Sequence, residues 1–319
     1  MKKKIQRMTA AAAALLIIPY IITVLINGKY IKVSGNTSPQ YVKVQVGNSQ
    51  KKVPWMDYFV GILAKEIDIS YGEEALKAQA VLTRTNLYRQ VGEKKDVTLS
   101  GEYMTYTDME KMWGKKEAKK IYDRLEKAVE KTGEKVILYD GKLAAASFHQ
   151  LSNGKTRNGN EVLGGEEYPY LQPKECLQDI EAKQQLQTLT LTYDEAKEYC
   201  RPFLVAVDKK ESGKKFTFQD FEIKETDSAG YVTKIRIGND VYSGEEFRTA
   251  LGLPSSCFTL QDQEGSLKIT TKGVGHGLGM SQYTANEMAK EGKTCDEILQ
   301  YFFEGAEIKE VAEILLNIE

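Results

Sequence analysis

The apolar positions of the chain change their spacing several times, and each spacing predicts a different kind of element. An uncharged apolar run extends from Met8 to Ile26, close to the ~20 residues that a bilayer-spanning helix needs. Lys2, Lys3, Lys4 and Arg7 precede it, and the following "NGKYIKV" has no small-residue cleavage pattern. That one-sided basic flank predicts an uncleaved membrane anchor, with residues 1–7 in the cytoplasm and the bulk of the protein extracytoplasmic. Residues 27–52, rich in Gly, Asn and Ser, read as a tether carrying one short strand, "YVKVQV".

From Val53 the pattern is that of a folded region. "VPWMDYFVGILAKEI" is apolar as far as Glu66. Ser70 and Glu73 then stand in the S-x-x-E spacing of a capping box, which predicts a helix over about 71–90 burying Ala75, Ala78, Val81 and Leu82. Thr107 and Glu110 repeat that spacing before a charged helix that runs to about Lys131. "KVILY" and "KLAAASFHQ" flank Asp140-Gly141, a hairpin signal whose second arm ends at His149. Residues 175–215 read as a linker with one helix, "TYDEAKEYCRPF". "KFTFQDFEIKE", "YVTKIRIG" and "DVYSG" predict an antiparallel meander, and Ser243 with Glu246 caps a helix stopped by Gly252 and Pro254. A strand, "GSLKITT", leads into "GVGHGLGMSQY", and two helices follow, the second capped by Thr294 and Glu297. The irregular alternation predicts an α+β fold, mixed helices and antiparallel sheet in two lobes, 53–175 and 176–319, behind the anchor and tether.

Charge and composition narrow the function classes. The chain of 319 residues carries 44 basic and 45 acidic side chains, a net charge of −1, and so has no electrostatic footprint for nucleic acid. Recognition must come from a local site. Cys176, Cys200, Cys257 and Cys295 form no C-x-x-C pair, which excludes a zinc ribbon or a thioredoxin-type motif and leaves disulfide pairing open. There are 2 histidines, His149 and His276, both beside glycine-rich turns.

Four constellations carry candidate chemistry. Glu66 ends an apolar segment, where partial burial would raise its pKa and suit it to general-acid cleavage of a glycosidic bond; the plain alternative is a surface carboxylate paired with a lysine. Glu73 has a competing role in its capping box. Lys77, Gln79 and Arg84 on the next helix either line a groove for sugar hydroxyl and acetamido groups or form an ordinary solvated face. His276 in G-x-G-H-G-x-G either lets a polymer approach the imidazole or sits in a tight structural turn; with no acidic residue where one is expected, the run is not a dinucleotide fingerprint. His149 lies near Ser152, Asn153 and Thr156, but a Ser/His hydrolase needs an orienting acid and an oxyanion hole, and neither is marked. Zinc would need a third ligand, a carboxylate or Cys176.

Together these segments resemble the stage II sporulation protein D family. "AKEIDISYGEEALKAQAVLTRTNLY" is similar to its signature, "FHQLSNGKT" with "VLGGEEYPYL" to its central segment, and "SGEEFRTALGLPSSCF" and the long block from Gly273 to Ile308 to its C-terminal motifs. The resemblance implies a lytic transglycosylase of bacterial peptidoglycan. Such an enzyme cuts between N-acetylmuramic acid and N-acetylglucosamine, leaves 1,6-anhydro ends, and acts during engulfment beside a cell-wall amidase and other membrane-anchored wall-remodelling proteins. It makes Glu66 the catalytic acid and places Lys77, Gln79, Arg84, His149, Ser152, Arg248, His276, Ser281, Gln282 and Tyr283 along the glycan, and the two histidine loops are expected to converge near Glu66 along one sugar-binding groove. It implies no cofactor; relatives that hold zinc in the central segment use cysteines absent here. A non-catalytic, glycan-binding amidase enhancer is the alternative that the same resemblance implies. In this chain Ile67-Asp68 follows the glutamate where the family has Met-Pro, "LTRTNLY" stands for Ala-Ala-Arg-Thr-Tyr, and "SNGKT" stands where a Gly-Gly pair is usual.

Overall fold

A computed structural model describes residues 41–91, 98–201 and 215–310. Among them no helix is long and apolar enough to cross a membrane, and the expected anchor over 8–26 lies outside the described residues. The end of the expected tether is not a tether. Val42, Val44 and Val53 are buried, and they draw β1 (Tyr41–Val46) and β2 (Ser49–Pro54) into an antiparallel hairpin with Val42 opposite Val53.

The apolar segment forms α1 (Trp55–Glu66), burying Phe59, Val60 and Leu63. It ends where Ile67 turns extended and Asp68 takes over: the Asp68 carboxylate accepts from Ser70 N–H at 2.9 Å and from Ser70 Oγ at 2.7 Å. Ser70 is thereby engaged in an Asx-type turn, so the expected capping box does not form, and α2 (Glu73–Val91) starts at Glu73 itself. After β3 (Thr98–Ser100), parallel to β1, the expected long charged helix is two helices, α3 (Tyr106–Trp113) and α4 (Lys115–Lys131), divided at Gly114 with φ +78°. Thr105 and Asp108, not Thr107 and Glu110, make the capping box of α3. The Asp140-Gly141 hairpin joins β4 (Lys135–Tyr139) to β5 (Lys142–Leu143), both turn residues having positive φ.

Beyond β6 (Phe148–His149) the chain forms α5 (Gly159–Leu163) and then a strand that the linker reading missed, β7 (Leu186–Thr192), before α6 (Tyr193–Cys200). The expected meander is present as β8 (Phe221–Thr226), β9 (Val232–Ile237) and β10 (Asp240–Ser243), antiparallel throughout. Ser243 and Glu246 cap α7 (Gly244–Leu251) as expected, and Gly252 ends it in the left-handed region. β11 (Phe258–Gln263) and β12 (Ser266–Lys272) form a second antiparallel sheet with β7. After β13 (Met280–Ser281) come α8 (Gln282–Lys290), α9 (Cys295–Phe302) with its Thr294–Glu297 box, and β14 (Glu307–Glu310), which pairs with β4.

The described chain is thus α+β, with β1 and β3 parallel and the pairs β1–β2, β4–β5, β4–β14, β7–β12, β8–β9, β9–β10 and β11–β12 antiparallel. It divides into two compact units, one comprising 41–148 with 285–310 and the other 149–284. They are not the consecutive lobes expected at 53–175 and 176–319. In the first unit α2 is central, packed by α1, α4, α9 and β4. The second has its own core, in which Phe221, Ile235, Phe247, Phe258 and Ile269 meet between the two sheets and α7. All four cysteines are free, buried thiols.

Candidate functional site

In the first unit the candidate acid stands at the C-terminal end of α1, facing α2. Polar side chains are buried on α2 because neighbours cover it on several sides, and each needs a partner. Gln79 (0% exposed) donates from Nε2 to Glu66 Oε2 at 3.2 Å, and Thr83 (2% exposed) donates from Oγ1 to the same oxygen at 2.5 Å. Glu66 is half-buried as a residue, but its carboxyl lies deep. Burial pushes its pKa up to about 7 against the pull of the Thr83 and Gln79 hydrogen bonds, which favour the ionised form. The group is therefore balanced between acid and base near neutrality.

The other expected residues of this unit are committed elsewhere. Lys77 pairs with Glu74 at 2.6 Å and Glu73 at 3.3 Å. Glu73 has no capping role; Lys131 and Lys77 hold its carboxylate down to about 2. Arg84 (1% exposed) is turned inward, away from any solvated groove. Its guanidinium donates to Lys135 O at 3.0 Å, Val129 O at 3.2 Å and Thr132 Oγ1 at 3.1 Å, closing the C-terminal end of α4 where carbonyls lack helical partners.

In the second unit the two histidine loops come together, with ring centroids 6.0 Å apart. The backbone N–H and C=O of one residue, Leu278, orient both rings. Leu278 O lies 3.0 Å from His149 Nδ1, so that nitrogen carries the proton, while Leu278 N–H donates to His276 Nδ1 at 3.1 Å, which leaves the His276 proton on Nε2. Burial pushes the His149 pKa down, so the ring is neutral and its Nε2 is a buried lone pair with no hydrogen-bond partner among the described residues. The glycines serve this packing. A Cβ on Gly275 would lie 2.7 Å from His149 Cβ, and one on Gly277 would lie 2.5 Å from the Tyr231 ring, so close approach within the protein requires both.

Two carboxylates that the sequence reading passed over hold these loops. Asp179, fully buried, accepts from Ser152 N–H at 2.6 Å, Ser281 Oγ at 2.8 Å and Thr284 Oγ1 at 2.7 Å, tying the central segment to the C-terminal motif. Asp227 forms a buried ion pair with Arg157, whose Nη1 donates to His276 O at 3.0 Å and whose backbone N–H donates to Gly277 O at 2.8 Å. Tyr283 N–H donates to Gln150 O at 3.2 Å, and Gln282 is buried beside Ser281. Arg248 joins neither group; it pairs with Glu245 at 2.9 Å on α7 and donates to Leu253 O. Among the described residues no group of three or more His, Cys, Asp or Glu could hold a metal ion.

A family profile described as "Stage II sporulation protein" matches residues 45–139, the stretch containing α1, α2 and Glu66. Stage II sporulation protein D of Bacillus subtilis strain 168 is 32% identical over 283 residues, covering 84% of this chain and 78% of that protein. The protein of the same name from Bacillus amyloliquefaciens is 30% identical over 281 residues, with the same coverage of 84% and 78%. The "Amidase enhancer" of Bacillus subtilis strain 168 is 26% identical over 294 residues, covering 77% of this chain and 39% of that longer protein.

Proposed function

The chain belongs to the stage II sporulation protein D family, and from that membership we propose that it is a lytic transglycosylase cutting the MurNAc–GlcNAc bond of peptidoglycan glycan strands during sporulation. The observation that carries the reading is Glu66: a deep carboxyl with a pKa of about 7, held by two donors. Protonated, it gives its proton to the glycosidic oxygen as the C1–O bond breaks and the leaving sugar keeps the bonding electron pair. Ionised, it takes the proton of the muramic acid C6 hydroxyl while that oxygen bonds to C1 and closes the 1,6-anhydro ring. No water is consumed, and one carboxyl serves both steps, whereas ordinary glycoside hydrolysis uses two. In the second unit His276 and Tyr283, which are half-buried, are assigned to polar contacts with the sugar, whereas His149, Ser152, Ser281 and Gln282 are buried and are assigned to holding those loops, and Gln79 to holding Glu66. Arg84, and by its pairing Arg248, are assigned to structure.

The substrate is glycan already stripped of its stem peptides, which makes a cell-wall amidase the natural partner; no cofactor is required. The basic tip and apolar run at 1–26 support a membrane anchor in this proposal, with the folded part outside. The test is a mass-spectrometric product assay on peptide-stripped sacculi. The wild type should release anhydro-MurNAc ends, and Glu66→Gln and Glu66→Ala should lower the yield by at least about 100-fold, since general acid–base catalysis contributes about 10²–10⁴-fold. A second reading, a glycan-binding amidase enhancer without catalysis, is favoured by the similarity to the amidase enhancer. It would show as glycan co-sedimentation and amidase stimulation that survive Glu66→Gln.

A further inference from the structure

Two hydrogen bonds reach one oxygen of the candidate acid from successive turns of a single helix. Gln79 and Thr83 are spaced i, i+4 on α2, and both meet Glu66 Oε2, at 3.2 Å and 2.5 Å. The Gln79 amide also lies 3.3 Å from Thr83 Oγ1. An amide nitrogen only donates, so Thr83 Oγ1 accepts from Gln79, and its own single proton is left to point at Glu66. Oε2 thus receives two donors, and an oxygen with two incoming protons is a poor place for a third. The carboxyl proton belongs on the other oxygen.

We infer that Thr83 is a positioning residue whose hydroxyl, donating to Oε2, confines the exchangeable proton of Glu66 to Oε1. The inference rests on the acid–base reading of Glu66 given above. In that cycle the proton leaves Oε1 for the glycosidic oxygen and returns there from the C6 hydroxyl. Oε2 stays an acceptor throughout, gaining charge while the Thr83 and Gln79 donors are already in place to meet it. Without the hydroxyl, desolvation would act on the carboxylate with less opposition, and the second step, which needs the ionised form, would be the one that suffers at neutral pH.

The experiment compares the full chain with its Thr83→Val and Thr83→Ser variants. Carbon-13 NMR titration follows the Glu66 side-chain carboxyl, assigned by its disappearance in Glu66→Gln, and the pH profile of anhydro-end formation is measured in parallel. A hydrogen bond to a charged group is worth about 1.5–3 kcal/mol and a pKa unit about 1.4, so Thr83→Val should raise the midpoint by about 1–2 units. The kcat profile should move up by the same amount with KM within about twofold, and Ser should restore both. A midpoint that stays or falls in a folded Val variant overturns the inference, as does failure of Ser to restore it; a fall would mean that Thr83 accepts the proton from Oε2. If Val does not fold, Thr83→Ala is read against Ser in the same way. If the wild type makes no anhydro ends, the transglycosylase reading fails, while the titration still decides whether Thr83 sets the protonation of Glu66.

Discussion

Glu66 is costly to the fold in a way that depends on pH. In the unfolded chain it titrates near 4.5, and in the folded protein burial raises it to about 7. Below 4.5 both states carry the proton, and the fold bears no penalty. Between 4.5 and 7 the folded state keeps a proton that the unfolded state has released, so stability falls as pH rises. The loss is complete above 7 and reaches at most about 3 kcal/mol. Glu66→Gln cannot ionise and should flatten that slope, leaving the variant more stable than the wild type at pH 8 and little changed at pH 4.5. Urea denaturation at both pH values checks this; equal slopes for the two proteins would mean that the carboxyl is solvated. A site that costs stability in this way is what the proposed role of Glu66 as an acid leads one to expect. The glutamate itself was legible in the sequence, as a carboxylate closing an apolar run. Thr83 was not, because a lone threonine mid-helix looks like a neutral position until the helix is known to be buried on that face.

At the scale of elements, α2 shows where sequence periodicity stops being informative. Ala75, Ala78, Val81 and Leu82 are buried as expected, but so are Gln79, Thr83, Arg84 and Thr85, because packing covers the helix well beyond one face. The solvated face allowed for Lys77, Gln79 and Arg84 therefore does not exist as such. Arg84 supports a second helix from this position, and its loss would leave carbonyls at the end of α4 unpaired in the interior. Arg84→Ala should cost about 2–4 kcal/mol by chemical denaturation. Arg84→Lys should recover less than half, since an ammonium cannot reproduce the planar fork. Unchanged stability with a raised KM would instead return Arg84 to the sugar. Caps followed the same logic. The boxes at Ser243 and Thr294 were legible and form, whereas Ser70 bonds to Asp68 and Thr107 yields to Thr105, stronger local partners that S-x-x-E spacing does not reveal. β7 was missed because it is an edge strand whose leucines, Leu189 and Leu191, are only partly buried, a pattern close to that of a loop.

The order of segments along the chain conceals the organisation of the whole molecule. One unit is interrupted by the other: the chain passes into the second at His149, completes both of its sheets and α7, and leaves after Thr284. Within the second unit Tyr283 N–H donates to Gln150 O, so the beginning and the end of that unit lie side by side. Nothing in composition marks these crossings, since neither has a Gly/Pro-rich linker, so the expected divide fell in the irregular stretch near 175. The inserted unit has a contiguous sequence, its own core and both buried carboxylates that hold its loops, Asp179 and Asp227. A fragment of residues 149–284 should therefore fold cooperatively by itself, with dispersed amide resonances and a single denaturation transition. Residues 41–148 alone should not, because they lack β14 beside β4, and α9 against α2. Within the fragment, Asp227→Ala should cost about 3–5 kcal/mol, leaving the buried Arg157 charge unpaired. Its effect should appear first at the Gly275–Gly277 turn, as lost hydrogen-exchange protection of the Arg157 amide that donates to Gly277 O. Protection kept there while stability falls would show that the ion pair supports the core and leaves the orientation of His276 to Leu278 alone.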